Sequence, residues 1–475
     1  MSRIWSMMDV GRRSLMNSQT ALQTTAHNIS NKSTEGYSRQ RVELVTNVPV
    51  GEGKLRIGMG ARALNVTRTN NPYLERQLEH EGNQLGYLGS RSEMLARVEQ
   101  VYNEQINKGL NHSLGNFFNS FRELSNNPES LATRTQVKES GENLANDFHR
   151  VRGDLQQIQK DADFRVATKV EEINRLSKEI AQLNEKVQVV ELNGVPANDE
   201  RDRRDQLVKE LSQKVNIKYA ESKDGQLAIT AGNTAVLVSG YSFRELKVAS
   251  TPAGPGKAEG NFEILYKNSD NATPVNVTRQ LNGGEIGGLL QVRDDVCNEL
   301  IANMDHLAYR LAEEVNSVHV QGYNRNGQTG QLFFDTPRGA FQTAENLSVN
   351  SAISNNVGLI AAAGAPEAPG DNRVANLVSG LQYRQVMDDG TSTFDDFYNS
   401  LVGQIGIETQ RSNSSNESQK DIVSQLKNVR ESISGVSLDE ETTKMIEFQK
   451  AFDASARLVR TADEMMDTVL NLKRL

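Results

Sequence analysis

Apolar and small residues at the two ends of the chain recur at a spacing of fours and threes. Ile4, Met8, Gly11, Leu15, Ser18, Leu22, Thr25 and Ile29 fall on one seam, with Met7, Ala21 and Ala26 beside it. Near the other end Met445, Phe448, Phe452, Ser455, Val459, Ala462, Met466 and Val469 repeat the spacing, flanked by Ile446, Leu458, Met465 and Leu472. A heptad stripe whose alternate members are small predicts two helices suited to close approach. Ser437, with Glu440 three residues later, reads as a capping box that opens the second helix. The two seams match, so the termini are expected to pair, either within one chain or among several. Helices at the extreme ends are marginal unless packed, which favours an intermolecular role.

Between the ends the period changes. Val42, Leu44 and Thr46, then Leu55, Ile57 and Met59, then Ala63, Leu64 and Val66 read as short strands separated by Gly51, Gly53, Gly58 and Gly60. Asn71-Pro72 is an N-cap and first-turn pair that opens a helical region towards Tyr102 and Leu124, and Asn127-Pro128 repeats the signal. Val137, Gly141, Leu144, Phe148, Val151, Leu155, Ile158 and Ala162 keep heptad spacing, and Val166 to Val190 continue it, predicting a helix of roughly sixty residues against a usual ~11–12. From about Asn216 to Gly284 the apolar positions alternate in short runs, a β pattern. Helix resumes near Gly287 through Val318 and again from Phe394 to Ile433.

The predicted fold is therefore mainly α and elongated, with long antiparallel helices, terminal coiled-coil helices and a small β insert. Residues 1–40 and 436–475 would form the terminal coiled-coil domain, 41–215 and 284–435 a long-helix rod with short hairpins, and 216–283 the outer β domain. Proline placement supports this: there are only 10, none between Pro128 and Pro196 and none after Pro369, and proline breaks helix interiors.

Composition narrows the function classes. Lys plus Arg is 53 against 61 Asp plus Glu, a net charge of −8, which argues against a nucleic-acid partner. No run of about 18 apolar residues is present, so a soluble chain without a membrane partner is expected. The N-terminus shows no cleavable signal peptide, so export would take another route. The single Cys297 excludes an internal disulfide and lies in an apolar-periodic run, as an inert core thiol would.

Candidate chemistry is nearly absent. His80-Glu81 opens like a zinc-protease helix, but Gln84 stands where the second histidine belongs, and the six histidines (27, 80, 112, 149, 306, 319) have no ligand spacing. Gly53-Lys54-Leu55 and Gly256-Lys257-Ala258 lack the hydroxyl and glycine spacing of a phosphate loop, and Asn324-Arg325-Asn326-Gly327 lacks the carboxylates of a calcium loop. The run Arg201-Asp202-Arg203-Arg204-Asp205 reads as a solvated helix face, with a subunit contact as the alternative. No cofactor, metal site or catalytic residue is expected, and an enzyme in the insert is disfavoured because residues 216–283 contain no His and no Cys.

Two segments carry a resemblance. Leu22, Ala26, His27, Asn28, Ile29, Ser30 and Asn31 lead into Gly36-Tyr37-Ser38-Arg39-Gln40, and this stretch resembles the N-terminal signature of flagellar rod, hook and hook-associated proteins. The run from Gly435 through Phe448-Gln449-Lys450-Ala451-Phe452 to Leu472 is similar to that family's other end. Gly36 to Gln40, the run Gly283 to Leu290 with Arg293-Asp294, and Asn316 to Phe334 with His319, Gly322 and Tyr323 resemble its hook–filament junction members. Phe448 and Phe452 stand where the family commonly has Tyr, and Ser455 where it has Asn.

The resemblance implies a non-catalytic axial subunit, exported by the flagellar type III system to the hook–filament junction outside the cell. Its implied partners are copies of itself in an axial ring, the hook protein, the second junction protein (hook-associated protein 3) and an export chaperone on the C-terminal helix. It would place Ile4, Met8, Leu15, Leu22, Ile29, Met445, Phe448, Phe452, Val459, Met466 and Val469 in the subunit seam, with Asn28, Asn31 and Gly36 to Gln40 as the family motif. A hook or distal-rod protein is the nearest rival, and a cytoplasmic coiled-coil scaffold is the alternative from another class.

Overall fold

A computed structural model describes residues 2–52, 55–102, 109–192, 194–250, 261–269, 271–335, 339–368 and 370–472. The Lys54 and Lys257 motifs fall on residues outside this set. The chain runs α1 (Ser2–Ser30), β1 (Gln40–Thr46), β2 (Val50–Glu52), β3 (Leu55–Ile57), β4 (Ala61–Arg68), α2 (Pro72–Val101), α3 (Leu110–Asn126), α4 (Leu131–Glu191) and α5 (Asn198–Lys214). Then follow β5 (Ile217–Glu221), β6 (Leu227–Ala231), β7 (Ala235–Ser239), β8 (Ser242–Phe243), β9 (Leu246–Ser250), β10 (Phe262–Tyr266) and β11 (Val275–Asn276). The remainder is α6 (Gly284–Gln291), a π turn (Val292–Val296), α7 (Cys297–His319), β12 (Phe334–Asp335), α8 (Thr343–Asn346), β13 (Ser348–Val349), α9 (Ser351–Asn355), α10 (Arg373–Gly380), α11 (Phe394–Ser434) and α12 (Leu438–Leu472).

Local chemistry sets the helix ends. Asn71 accepts from the Tyr73 and Leu74 N–H groups with Pro72 behind it, opening α2 as predicted. Asn127-Pro128 does not open α4. Asn127 closes α3, and Ser130 is the N-cap of α4, its hydroxyl accepting from Thr133 N–H. α4 is 61 residues long, about 90 Å at 1.5 Å per residue, and its heptad face is buried along its length. Thr393 and Asp396 form a reciprocal capping box at the start of α11.

The β segment makes two antiparallel sheets, ordered β5-β6-β7-β8 and β11-β10-β9. They lie on α4 through Asn174, which brackets Leu246, and Asn184, which brackets Leu227. One apolar cluster runs from Met94 to Ile405 and takes in Ile229, Val238 and Ile264 of the sheets, so strands and long helices share a core. The Gly283–Leu290 run brings α6 against α2 and α5 by backbone approach. Gly284 has φ +66°, and a Cβ there would stand 2.5 Å from the Val215 nitrogen.

Candidate assembly site

α1 and α12 pack antiparallel within the chain. Ser455 Oγ meets Ser14 Oγ at 2.8 Å, and a Cβ on Gly11 would stand 2.7 Å from Leu458 Cδ2. Among the described residues the buried positions are Gly11, Ser18, Ala21, Thr25 and Asn28 on α1, and Glu441, Ser455 and Ala462 on α12. All are small or polar. The large predicted seam residues Ile4, Met8, Leu15, Leu22, Ile29, Met445, Phe448, Phe452, Val459 and Met466 come together only half-buried, and Val469 is exposed. Trp5, Met16 and Ile446 are 61, 58 and 54% exposed. A groove of about 510 Å³, lined by Ser14, Ala21, Thr25, Gly60 and Ala451, stays open between the pair and the β1–β4 hairpin.

The predicted motif residues form a joint at the base of this pair. Asn28, 1% exposed, uses its whole amide. Its Nδ2 donates to Gln40 O (2.9 Å) and Glu441 Oε2 (3.0 Å), and its Oδ1 accepts from Tyr37 Oη (2.8 Å) and Gln40 N (2.9 Å). Gly36 makes the preceding turn at φ +82°, with Gln206 pressed against it. Asn31 turns the chain out of α1 by accepting from Thr34 Oγ1 (3.2 Å). Burial pushes the Tyr37 phenol above its ordinary range, and the Asp199, Asp202 and Glu441 charges add to this, so it stays a donor.

Arg39 clasps the start of α12, with Nη2 2.6 Å from Glu441 Oε1 and Nη1 2.7 Å from Glu440 Oε2. α12 does begin at Leu438, but Glu440 is committed to this ion pair rather than to the capping box read from its spacing. The Arg39 N–H donates to Ser434 O at the end of α11, and Arg430 donates to Gly36 O at 2.9 Å while pairing with Glu75 of α2 at 3.2 Å. The motif thus ties α1, α2, α11 and α12 together.

The 201–205 run is not simply a solvated face. Arg203 remains exposed, but Asp202 and Arg204 are 5 and 1% exposed. Asp202 accepts from Ser38 N and from Arg68 Nη1, both at 2.8 Å, so α5 is bolted to the motif. Burial pushes the Asp202 carboxyl up from its usual range, and Arg68 and Ser38 only partly draw it back. Arg204 satisfies the Gly225 carbonyl (2.5 Å) and Glu221 (3.0 Å) of the β segment. Arg68, Glu75, Asp199 and Arg430 were not legible as site residues, because each is set by a partner more than a hundred positions away.

Other candidates have structural surroundings. Cys297 is buried, and burial with Asp294 nearby pushes its thiol up to about 12. Asn324 Oδ1 accepts from Asn326 N and Gln328 N, closing a turn at Gly327. His319 donates from Nδ1 to Gln331 O (2.7 Å) and accepts at Nε2 from Ala361 N (2.8 Å). Asn316 brackets Phe333 and Phe334.

Residues 95–334 match the family described as flagellar hook-associated protein FlgK helical domain, half of the chain. The chain belongs to the FlgK family of flagellar hook-associated proteins. Residues 430–472 also match the flagellar basal body rod FlgEFG protein C-terminal family, the segment that includes α12. Relatives named flagellar hook-associated protein 1 from Bacillus subtilis, Escherichia coli and Salmonella typhimurium are 29, 28 and 26% identical. The alignments cover 98, 96 and 96% of this chain and 97% of each relative. The solved FlgK from Burkholderia pseudomallei, a flagellar hook junction protein, superposes with a TM-score of 0.67 at 16% identity, covering 75% of this chain and 100% of that one. FlgK-family membership makes this a structural component of the flagellum, and no helix among the described residues is long and apolar enough to cross a membrane.

Proposed function

We propose that this chain is a non-catalytic axial subunit that polymerises at the distal end of the hook and joins hook to filament. The observation that carries this is the paired α1 and α12, in which, among the described residues, no large apolar side chain is buried. Such a pair gains little from the hydrophobic effect on its own and needs neighbours to cover it. The terminal segments 1–40 and 436–475 would then be the innermost layer, the long helices the next, and the 216–283 insert the outward face. Its partners would be further copies in a ring, the hook protein, hook-associated protein 3 and, before export through the type III channel, a chaperone that shields α12.

A hook or distal-rod role is the second reading, favoured by the match of residues 430–472 to rod proteins. Electron microscopy of cells lacking the gene, with a flagellin blot of the medium, separates the two. Hooks of normal length without filaments, and flagellin lost to the medium, are the expected result. Absent or malformed hooks move the protein to the rod or hook, and normal attached filaments leave a cytoplasmic scaffold.

A further inference from the structure

The two ends of α11 are held in different ways. Phe394, Tyr398, Leu401 and Ile405 are buried in the core, but beyond Ile405 the buried positions are Thr409, Ser412, Val423, Arg430 and Ser434. That second half meets α2 through polar contacts such as Gln419 to Glu81 (2.6 Å) and Arg430 to Glu75 (3.2 Å). Its better apolar face is turned outward. Ile422, Val429 and Ile433 are 42, 46 and 42% exposed, with Leu426 half-buried between them. The spacing of four, three and four is that of a coiled-coil seam lacking its partner.

A complementary surface lies on the β1–β4 hairpin, where Leu44, Val48 and Val50 are 55, 79 and 55% exposed. Exposed Arg41, Arg56 and Arg62 lie on β1, β3 and β4, against the exposed Glu43 of β1. The stripe is flanked by exposed Glu417, Asp421, Glu431 and Asp439 against Lys420 and Lys427, so the two surfaces carry opposite charge balances. Within one chain they sit on different neighbours. The hairpin follows α1, with Asn17 bonded to Ala61 O and Ala63 N, whereas the stripe runs along α2.

We propose that the β1–β4 hairpin of one copy docks on the Ile422–Ile433 stripe of a second copy. The contact is heterologous, so repetition propagates it around an axis rather than closing a dimer. It rests on the polymerisation reading above and names the surfaces that reading needs.

The test uses cells expressing two copies together, one carrying Val48→Cys and the other Val429→Cys, with a bismaleimide applied to isolated hooks. Both positions are exposed and the native Cys297 is buried. A cross-linked dimer from the mixture, and none from either variant alone, is expected. Both chains present in the hooks without a dimer overturns the contact and leaves the junction role standing. Neither chain present overturns polymerisation and this contact with it. As a second measurement, Val429→Asp/Ile433→Asp should lower incorporation at least tenfold while the circular dichroism of the purified chain is unchanged. Unaltered incorporation overturns the proposal.

Discussion

Asn28 and Glu441 stand 413 positions apart and are joined by a 3.0 Å hydrogen bond inside a joint that solvent hardly reaches. Everything that leaves this joint, the α1–α12 pair on one side and the α2–α11 pair on the other, is oriented by it. The motif residues therefore act within the chain, by fixing the angle between the α1–α12 pair and the α2–α11 pair.

Asn28→Ala removes four hydrogen bonds at once and leaves Tyr37 and the Gln40 backbone short of partners. Buried polar groups left unpaired cost about 1–3 kcal/mol each where water cannot replace the partner, so a loss of about 3 kcal/mol is expected. The urea midpoint of the full-length chain reads it. A midpoint equal to that of the parent would mean that the joint is not formed in solution.

The helix pair tolerates little extra volume. Ala462 is wholly buried, the only apolar residue of α12 so placed among the described residues. Ala462→Leu should push α12 off α1 at a cost of about 1–3 kcal/mol. Because the pair is solvent-exposed elsewhere, the effect should appear as faster proteolysis of both termini, with cleavage inside α4 unchanged. If the termini of Ala462→Leu were cut no faster than those of the parent, the α1–α12 packing described above would be wrong.

Much of the helical scaffold was legible because its signals are local or strictly periodic. The α4 heptads, the Asn71-Pro72 cap and the alternation of β5 to β10 each need only a window of ten to twenty residues. Asn127-Pro128 misled because the same dipeptide suits a helix exit followed by a turn, and the hydroxyl that caps α4 belongs to Ser130. The 201–205 run misled for a different reason. Charge predicts exposure only when no distant partner exists, and Arg68, Ser38, Glu221 and Gly225 are all distant or hidden partners. The joint itself was visible as a motif but its contacts with Glu75, Arg430 and Asp202 were not.

Glu79 gives the chain a pH response. It is 9% exposed, accepts from Tyr219 Oη at 3.2 Å, and burial pushes its carboxyl up to about 7. Tyr219 and Lys209 oppose that shift, while Asp205 and Glu75 add to it. A carboxyl whose folded pKa is raised binds more protons folded than unfolded, so its contribution is full below about 4.5 and is lost as pH rises towards 7. Glu79→Gln should therefore gain on the parent by about 3 kcal/mol between pH 4.5 and 7.5, seen in parallel denaturation curves. A constant difference between the two proteins across that range would show that Glu79 titrates normally.

His319 should act with the opposite sign. Burial pushes its imidazole down to about 4, with the Arg134 charge adding to this and the Gln331 carbonyl bond opposing it. The folded chain then binds fewer protons at this site than the unfolded chain, so stability is full above about 6.5 and falls as pH drops towards 4. His319→Gln would lose the buried bonds at every pH but should flatten the acid limb by about 3 kcal/mol relative to the parent. An acid limb of unchanged steepness would place the titrating groups elsewhere.

The Arg68–Asp202 pair tests how firmly α5 is bolted to the motif. Arg68→Ala leaves Asp202 buried with the backbone N–H and side chain of Ser38, and Asp202→Ala leaves Arg68 with Asp205 at 2.7 Å. Removing one member of a buried pair costs about 3–5 kcal/mol, largely because the remaining charge stays desolvated. Arg68→Ala should therefore be the more damaging single change, since Arg68 keeps a second carboxylate and Asp202 keeps no second cation among the described residues. The double variant should cost less than the two singles together by at least 1 kcal/mol, a coupling of the size seen between contacting groups. A urea-denaturation cycle on the four proteins measures it. Additive losses would mean that the two residues stabilise α5 independently, and that the ion pair does not hold the helix to Ser38.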